Sequence, residues 1–202
     1  MQLFIARHGE TDYNAEGRIQ GGIDTNLSEK GILQAKALGK TLEGMTFDAV
    51  YSSPLKRAQQ TIEYAFDGKH KPILDPRLVE IGFGEADGML WEEIMEIYPQ
   101  AALTLFSDPP NYIPPPKGEA LPDMISRVSA FMDDISKSGH QKVFVLTHGY
   151  TLRVFHACAA DKSLEAIGKS RAYNNCELVY YQHKNNQWEL IDVKPNEGEV
   201  LV

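Results

Sequence analysis

Two stretches of this chain repeat one pattern, a short apolar run leading straight into a histidine and a glycine. Leu3-Phe4-Ile5 leads into Arg7-His8-Gly9, and Val143-Phe144-Val145-Leu146 leads into Thr147-His148-Gly149. Apolar runs of this length, bounded by turn residues, read as buried strands. A strand end opening into a glycine-containing turn is where open α/β sheets place their ligands. If the two strands are neighbours, two imidazoles sit at one sheet edge. Gly9 lets the backbone approach another group closely. Arg7 offers a planar fork of donors suited to phosphate or carboxylate. His8 works near neutral pH as nucleophile, base or metal ligand.

Between these units, helical and strand patterns alternate, which predicts an α/β fold. Ser28 is a helix N-cap candidate ahead of Ile32, Ala35, Leu38 and Leu42, with Gly44 beyond. Phe47–Tyr51 reads as a strand. Ser53 as cap and Pro54 at the first helical position then predict a helix that carries Arg57 in its first turn. There the guanidinium and the helix N-terminus can face one anion. Pro72–Leu74 reads as a short strand, Leu78–Gly88 as a loop rich in glycine and acids, and Leu90–Tyr98 as a short helix. Five prolines within Asp108–Gly118 predict a stiff surface excursion. Leu121, Met124, Ile125, Val128, Phe131, Met132 and Ile135 form an amphipathic stripe for the core. Helices are expected over Thr151–Ala160 and Ser163–Gly168. A hairpin is expected at Leu178–Tyr181 and Trp188–Val193.

Bulk properties narrow the function. At 202 residues, 43% of them hydrophobic and 24% charged, the chain fits one soluble globular domain. No apolar run approaches the roughly 20 residues of a membrane span. The first residues have neither a basic region nor a long apolar segment, so a secretory leader is not expected and the cytoplasm is the expected location. Cys158 and Cys176 give no disulfide framework, and Cys176 is expected as a packed strand residue. A net charge of −8 argues against a nucleic-acid partner.

Arg7-His8-Gly9-Glu10-Thr11 with Asn14 resembles the signature of the histidine phosphatase superfamily, in its phosphoglycerate-mutase-like branch. Four further segments match in order. They are Leu27-Ser28-Glu29-Lys30-Gly31 with Gln34-Ala35, Tyr51 to Ala58 with Thr61, Gly118-Glu119-Ala120-Leu121, and Thr147-His148-Gly149 with Asn175-Cys176. Together they run from about Leu3 to Tyr181. The resemblance implies a three-layer αβα sandwich around a mainly parallel sheet. It implies a single domain over 1–202 with a small proline-rich cap excursion at about 99–118. The implied activity is metal-independent hydrolysis of a small phosphorylated metabolite through a phosphohistidine, with no cofactor, by a monomer or homodimer.

Carried over position by position, His8 is the nucleophile and Glu80 the acid/base. Arg7, Arg57 and His148 surround the phosphoryl group, and Asn14, Gln20, Gly21 and Gly149 add substrate contacts. Glu85 and Asp87 are rivals to Glu80. His70, His140, His156 and His183 match no motif and are expected to be structural or solvated. The chain departs from common family patterns at Ala120 and at Ala86-Asp87, which bears on the outer pocket.

The chemistry requires these residue types. A neutral imidazole attacks phosphorus while its other nitrogen donates to a fixed acceptor, expected to be a backbone carbonyl. Cationic groups stabilise charge on the equatorial oxygens. The leaving alkoxide takes a proton from Glu80, whose protonation a dianionic phosphate favours by like-charge repulsion. A metallohydrolase is disfavoured because no paired carboxylates accompany either histidine. Nucleotide-binding glycine motifs are absent. Two alternatives share the fold: a non-catalytic phospho-ligand module and a cofactor-dependent phosphoglycerate mutase. The mutase is disfavoured because Glu80-Ile81-Gly82-Phe83-Gly84 carries no arginine or histidine to clamp a substrate carboxylate. An apolar outer pocket is expected from Phe83, Trp91 and Tyr112.

Overall fold

A computed structural model describes residues 1–196. In chain order it contains β1 (Gln2–Arg7), α1 (Asp12–Ala15), α2 (Glu29–Thr41), β2 (Ala49–Ser52), α3 (Lys56–Ala65) and β3 (Ile73–Leu74). Then come α4 (Trp91–Ile97), α5 (Pro99–Ser107), α6 (Leu121–Lys137), β4 (Lys142–Thr147), α7 (Gly149–Ala160), α8 (Leu164–Lys169), β5 (Leu178–Lys184) and β6 (Gln187–Lys194). The six strands form one sheet in the order β3-β2-β4-β1-β5-β6. Its first four strands are parallel; β5 runs antiparallel to β1, and β6 antiparallel to β5.

Side chains alternate across a strand, so each central strand feeds two cores. Leu3 and Ile5 of β1 and Val143 and Val145 of β4 join Met124, Val128, Phe131 and Ile135 of α6 and Leu152 and Phe155 of α7 on one face. Phe4, Ala6, Phe144 and Leu146 point the other way, onto Ala35 and Leu38 of α2 and Ala58 and Ile62 of α3. Continuous apolar runs in β1 and β4 are the requirement of strands covered on both faces. The result is a three-layer α/β sandwich, the architecture that the family resemblance implies.

Most expected elements are present. Ser28 caps α2, its hydroxyl accepting from the Gly31 amide at 3.1 Å. The β5–β6 hairpin turns at Asn185 and Asn186, whose φ angles of +53° and +60° suit the tight turn asparagine tolerates. The first part of the 99–118 excursion, Pro99–Ser107, is α5. Pro99 takes the first helical position, where its missing amide costs nothing. The helix after β2 also starts later than expected. Leu55 is its N-cap, with no side-chain cap bond, and Ser53 is not. Cys176 lies in the turn before β5, at φ +56°, and not in the strand.

Two glycines lock α2 against the loop that leaves His8. A Cβ on Gly9 would press into the carbonyl of Gly31, and one on Gly31 into the carbonyl of Glu10. The Ser28 amide closes the same junction by donating to Glu10 O at 2.9 Å. Gly31→Ala should therefore lower stability by about 1–3 kcal/mol despite alanine's better helix propensity, because backbone atoms cannot yield. A lower denaturant midpoint at constant m-value would show it.

Candidate active site

The backbone register sets the site. β1 and β4 pair in parallel with Arg7 opposite Thr147, so His8 and His148 leave the sheet side by side. The His8 amide completes the alignment by donating to Thr147 O at 3.0 Å. The two imidazole centroids are 5.1 Å apart with planes inclined at 59°.

His8 is almost fully buried, and its Nδ1 lies 2.7 Å from the carbonyl oxygen of Gly9. A carbonyl only accepts, so Nδ1 carries the proton and Nε2 holds the free lone pair. Burial, then the charges of Arg57 and Arg7, hold its pKa well below the ordinary 6.5, which keeps the ring neutral. The expected backbone acceptor is thus Gly9 O.

Arg57 is completely buried. Its Nη1 donates to Ile23 O at 2.7 Å, its Nη2 to Gly21 O at 2.8 Å and its Nε to His148 Nδ1 at 3.2 Å. Burial lowers its pKa to about 10, with Glu80 and Asp24 opposing, so it stays charged at neutral pH. A guanidinium only donates, so His148 accepts at Nδ1 and its Nε2–H donates to Ser53 Oγ at 2.7 Å. This is the work Ser53 does in place of capping. Burial first, then Arg57, also depresses the His148 pKa well below the ordinary value.

Arg7 donates from Nη1 to Tyr173 O at 2.7 Å. Gly149 lies flat on it: a Cβ there would come within 3.3 Å of Arg7 Nε. Asn14 forms a reciprocal capping box with Thr11 at the start of α1. Gln20 accepts from the Thr25 hydroxyl. Gly21 adopts φ +47°, and a Cβ there would collide with the Asp87 carboxylate.

Glu80 accepts from the amides of Tyr150, Thr151 and Ile81 and from the Thr151 hydroxyl, each at 3.1 Å. His148, at the N-cap position of α7, makes no side-chain cap, so Glu80 supplies it from another segment. The rivals face elsewhere. Glu85 pairs with Lys117 at the surface. Asp87 accepts from the amides of Phe83 and Gly22 and ties two loops together. Burial raises its pKa, with those two amides opposing.

These groups share one cleft of about 280 Å³, lined by Arg7, His8, Asn14, Gln20, Gly21, Arg57, Glu80 and Gly149 among others. His148 is not on its wall and stands behind Arg57 and His8. The outer rim differs from the expected apolar trio. Phe83 and Trp91 line it, whereas Tyr112 does not; Phe106, Tyr150 and Tyr173 do, together with Arg18 and Arg153. Phe106 comes from α5, and Tyr150 anchors that helix by donating to Leu105 O at 2.7 Å. The spacing of Tyr150 and Arg153 from Gly149 on one helix was a readable cue to these rim residues; Phe106, far off in sequence, had none. The unassigned histidines are structural or exposed: His156 lies beside the Tyr181 hydroxyl, and His70 and His183 pack on Phe66 and Trp188. Among the described residues, no three or more His, Cys, Asp or Glu side chains are grouped to hold a metal.

Two buried neutral histidines make folding sensitive to acid. Each has a folded pKa below its unfolded value near 6.5. The unfolded chain therefore binds more protons as pH falls through 6.5, and stability drops. The loss in Tm between pH 7 and pH 5 should be smaller in His8→Asn than in the wild type, as thermal scans at both pH values would show.

Known proteins resemble this chain over most or all of its length. The chain is 35% identical to phosphoserine phosphatase 1 of Hydrogenobacter thermophilus, over all of this chain and 97% of that protein. It is 36% identical to a metal-independent phosphoserine phosphatase of Arabidopsis thaliana over 82% of this chain and 73% of that protein. Among solved structures, YhfR of Bacillus stearothermophilus superposes with a TM-score of 0.86 at 30% identity, covering 98% of this chain and 96% of that one. The family model for the histidine phosphatase superfamily, branch 1, matches residues 3–195. With that match spanning both strand–histidine units and every segment that closes the cleft around them, the chain belongs to the histidine phosphatase superfamily.

Proposed function

We propose that this chain hydrolyses phosphomonoesters of small metabolites through a phosphohistidine on His8, without a metal. The observation that carries the reading is the pairing of a neutral, buried His8, its proton fixed on Nδ1 by Gly9 O, with the charged Arg7 and Arg57 in one cleft. The curated relatives named as phosphatases, one of them metal-independent, support it.

The lone pair of His8 Nε2 attacks phosphorus, and the bond to the leaving oxygen breaks. Arg7 and Arg57 meet the charge on the equatorial oxygens from fixed positions, so little reorganisation is needed. His148 acts from behind by orienting Arg57. Glu80, held at the mouth of α7, gives its proton to the leaving oxygen. Water then attacks the phosphohistidine, Glu80 takes its proton, and the P–N bond breaks to release phosphate. Asn14, Gln20 and Gly21 border the phosphoryl pocket. Residues 1–202 serve as one domain, with the 99–118 excursion lending Phe106 to the rim.

Quenching with labelled phosphoester in the presence of EDTA should trap an acid-labile, base-stable label on the wild type. His8→Ala should show none and lose at least about 10⁴-fold in kcat. Labelling or near-normal turnover by His8→Ala would refute the mechanism.

Glu80→Gln should slow phosphorylation of His8 by an alkyl phosphate about 10²–10⁴-fold. With p-nitrophenyl phosphate, whose leaving group needs no proton, that step should fall far less. Single-turnover kinetics on both esters makes the comparison, and equal losses would assign the proton to another group.

A further inference from the structure

One glutamine near the nucleophile plays no part in the reaction so far. Gln34 lies on α2 with only 1% of its surface exposed, a degree of burial glutamine seldom has. Its Oε1 accepts from the Glu10 amide at 2.8 Å. A backbone N–H only donates, so the side-chain amide is oriented with its oxygen toward the loop that leaves His8. Among the described residues its Nε2 finds no hydrogen-bond partner. The bond to Glu10 is therefore the one that this buried amide serves.

That bond reaches His8 through a single peptide group. The Gly9 carbonyl and the Glu10 N–H belong to one planar unit and point in opposite directions. The carbonyl faces His8 Nδ1 at 2.7 Å, and the N–H donates to Gln34. Turning this peptide over would present an N–H to His8, move the ring proton to Nε2 and remove the lone pair that attacks phosphorus. Gly9, without a side chain, offers little resistance to such a turn by itself. The turned carbonyl would meet Gln34 Oε1, acceptor against acceptor, so the peptide can turn only together with a fully enclosed side-chain amide. The preceding peptide is held separately: the Gly9 N–H donates to Thr61 Oγ1 at 3.0 Å, and His8 O accepts from Asn175 Nδ2 at 2.9 Å. Gln34 comes within reach because Gly31, three residues earlier on the same helix face, lies directly against the Glu10 backbone.

We infer that Gln34 is a positioning residue that holds the Nδ1–H tautomer of His8 by clamping the Gly9–Glu10 peptide. Positive charge develops on the ring as Nε2 bonds to phosphorus, and the bond from Nδ1–H to Gly9 O strengthens. The Glu10–Gln34 bond polarises that carbonyl in the favourable direction. The consequence for rate rests on the phosphohistidine reading above, whereas the tautomer does not.

Nitrogen-15 NMR at neutral pH reads which ring nitrogen carries the proton, with the His8 signals identified by their loss in His8→Asn. The wild type should be protonated at Nδ1. Gln34→Met, close in size but without a comparable acceptor, should show a mixture of tautomers. It should also phosphorylate His8 from p-nitrophenyl phosphate about 10–100-fold more slowly. Gln34→Glu, which keeps an oxygen acceptor in place, should stay near the wild type in both measurements. A wild type protonated at Nε2 would overturn the inference. So would a methionine variant with the wild-type tautomer, since any loss of rate would then come from packing. A glutamate variant as mixed as the methionine one would overturn it too, because the acceptor would not be the cause. If neither variant folds, hydrogen exchange in the wild type decides: the Glu10 amide should be strongly protected, and exchange as fast as at the surface would overturn the clamp. A wild type that forms no phosphohistidine from any phosphoester, yet shifts its ring proton when Gln34 is replaced, would overturn the hydrolase reading and uphold this inference.

Discussion

Six parallel backbone pairs between β1 and β4 hold the rest of the site in place. A shift of one residue in that ladder would turn each strand's apolar side chains to the opposite core and move His8 away from His148. The two cores therefore enforce the register: Leu3, Ile5, Val143 and Val145 must meet α6 and α7 while Phe4, Ala6, Phe144 and Leu146 meet α2 and α3. Burial of these side chains, at roughly 1.5–3 kcal/mol each, is the energy that places two imidazoles 5.1 Å apart.

On that frame sits a costly object, the guanidinium of Arg57, buried completely and still charged. A buried charge is tolerated only when its donors are used, and here two loop carbonyls and a histidine nitrogen use them. The same bonds shape the Gln20–Ile23 loop. Asp87 braces that loop from the other side, which is why Gly21 can carry no side chain. Desolvation thus acts twice, keeping His8 neutral and leaving the cationic groups little freedom to move, and both suit a reaction that gathers negative charge.

Much of this was legible in the chain. Short apolar runs with no alternation, bounded by turn residues, read as buried strands, and the helical stripes of α2 and α6 named their own buried sides. His8, Arg7 and Arg57 could be read because strand-end and first-turn positions have local signals. The rim could not. Phe106 reaches the cleft from α5, a helix just ahead of the proline-rich Asp108–Gly118 stretch, and Tyr112 does not line the pocket its sequence position favoured. Ser53 looked like a helix cap because serine before proline is a local cue, and the competing partner, His148, lies 95 residues on. Tertiary partners of that kind leave no trace in neighbouring residues.

The central place of β1 has a consequence for how the protein comes into being. Among the described residues β1 pairs with β4 and β5, whose residues lie about 140 or more positions later. During synthesis the strand that leads into His8 is therefore made well before its partners and waits, unpaired and apolar, until they have followed. Arg7 takes its backbone acceptor from Tyr173, and the His8 carbonyl its amide donor from Asn175, so the last fifth of the chain closes what the first ten residues began. Such non-local closure is slow and leaves an apolar edge open meanwhile. A nascent chain of this protein is without this cleft until β4 and β5 have left the ribosome, and β1 is the segment most in need of protection until then.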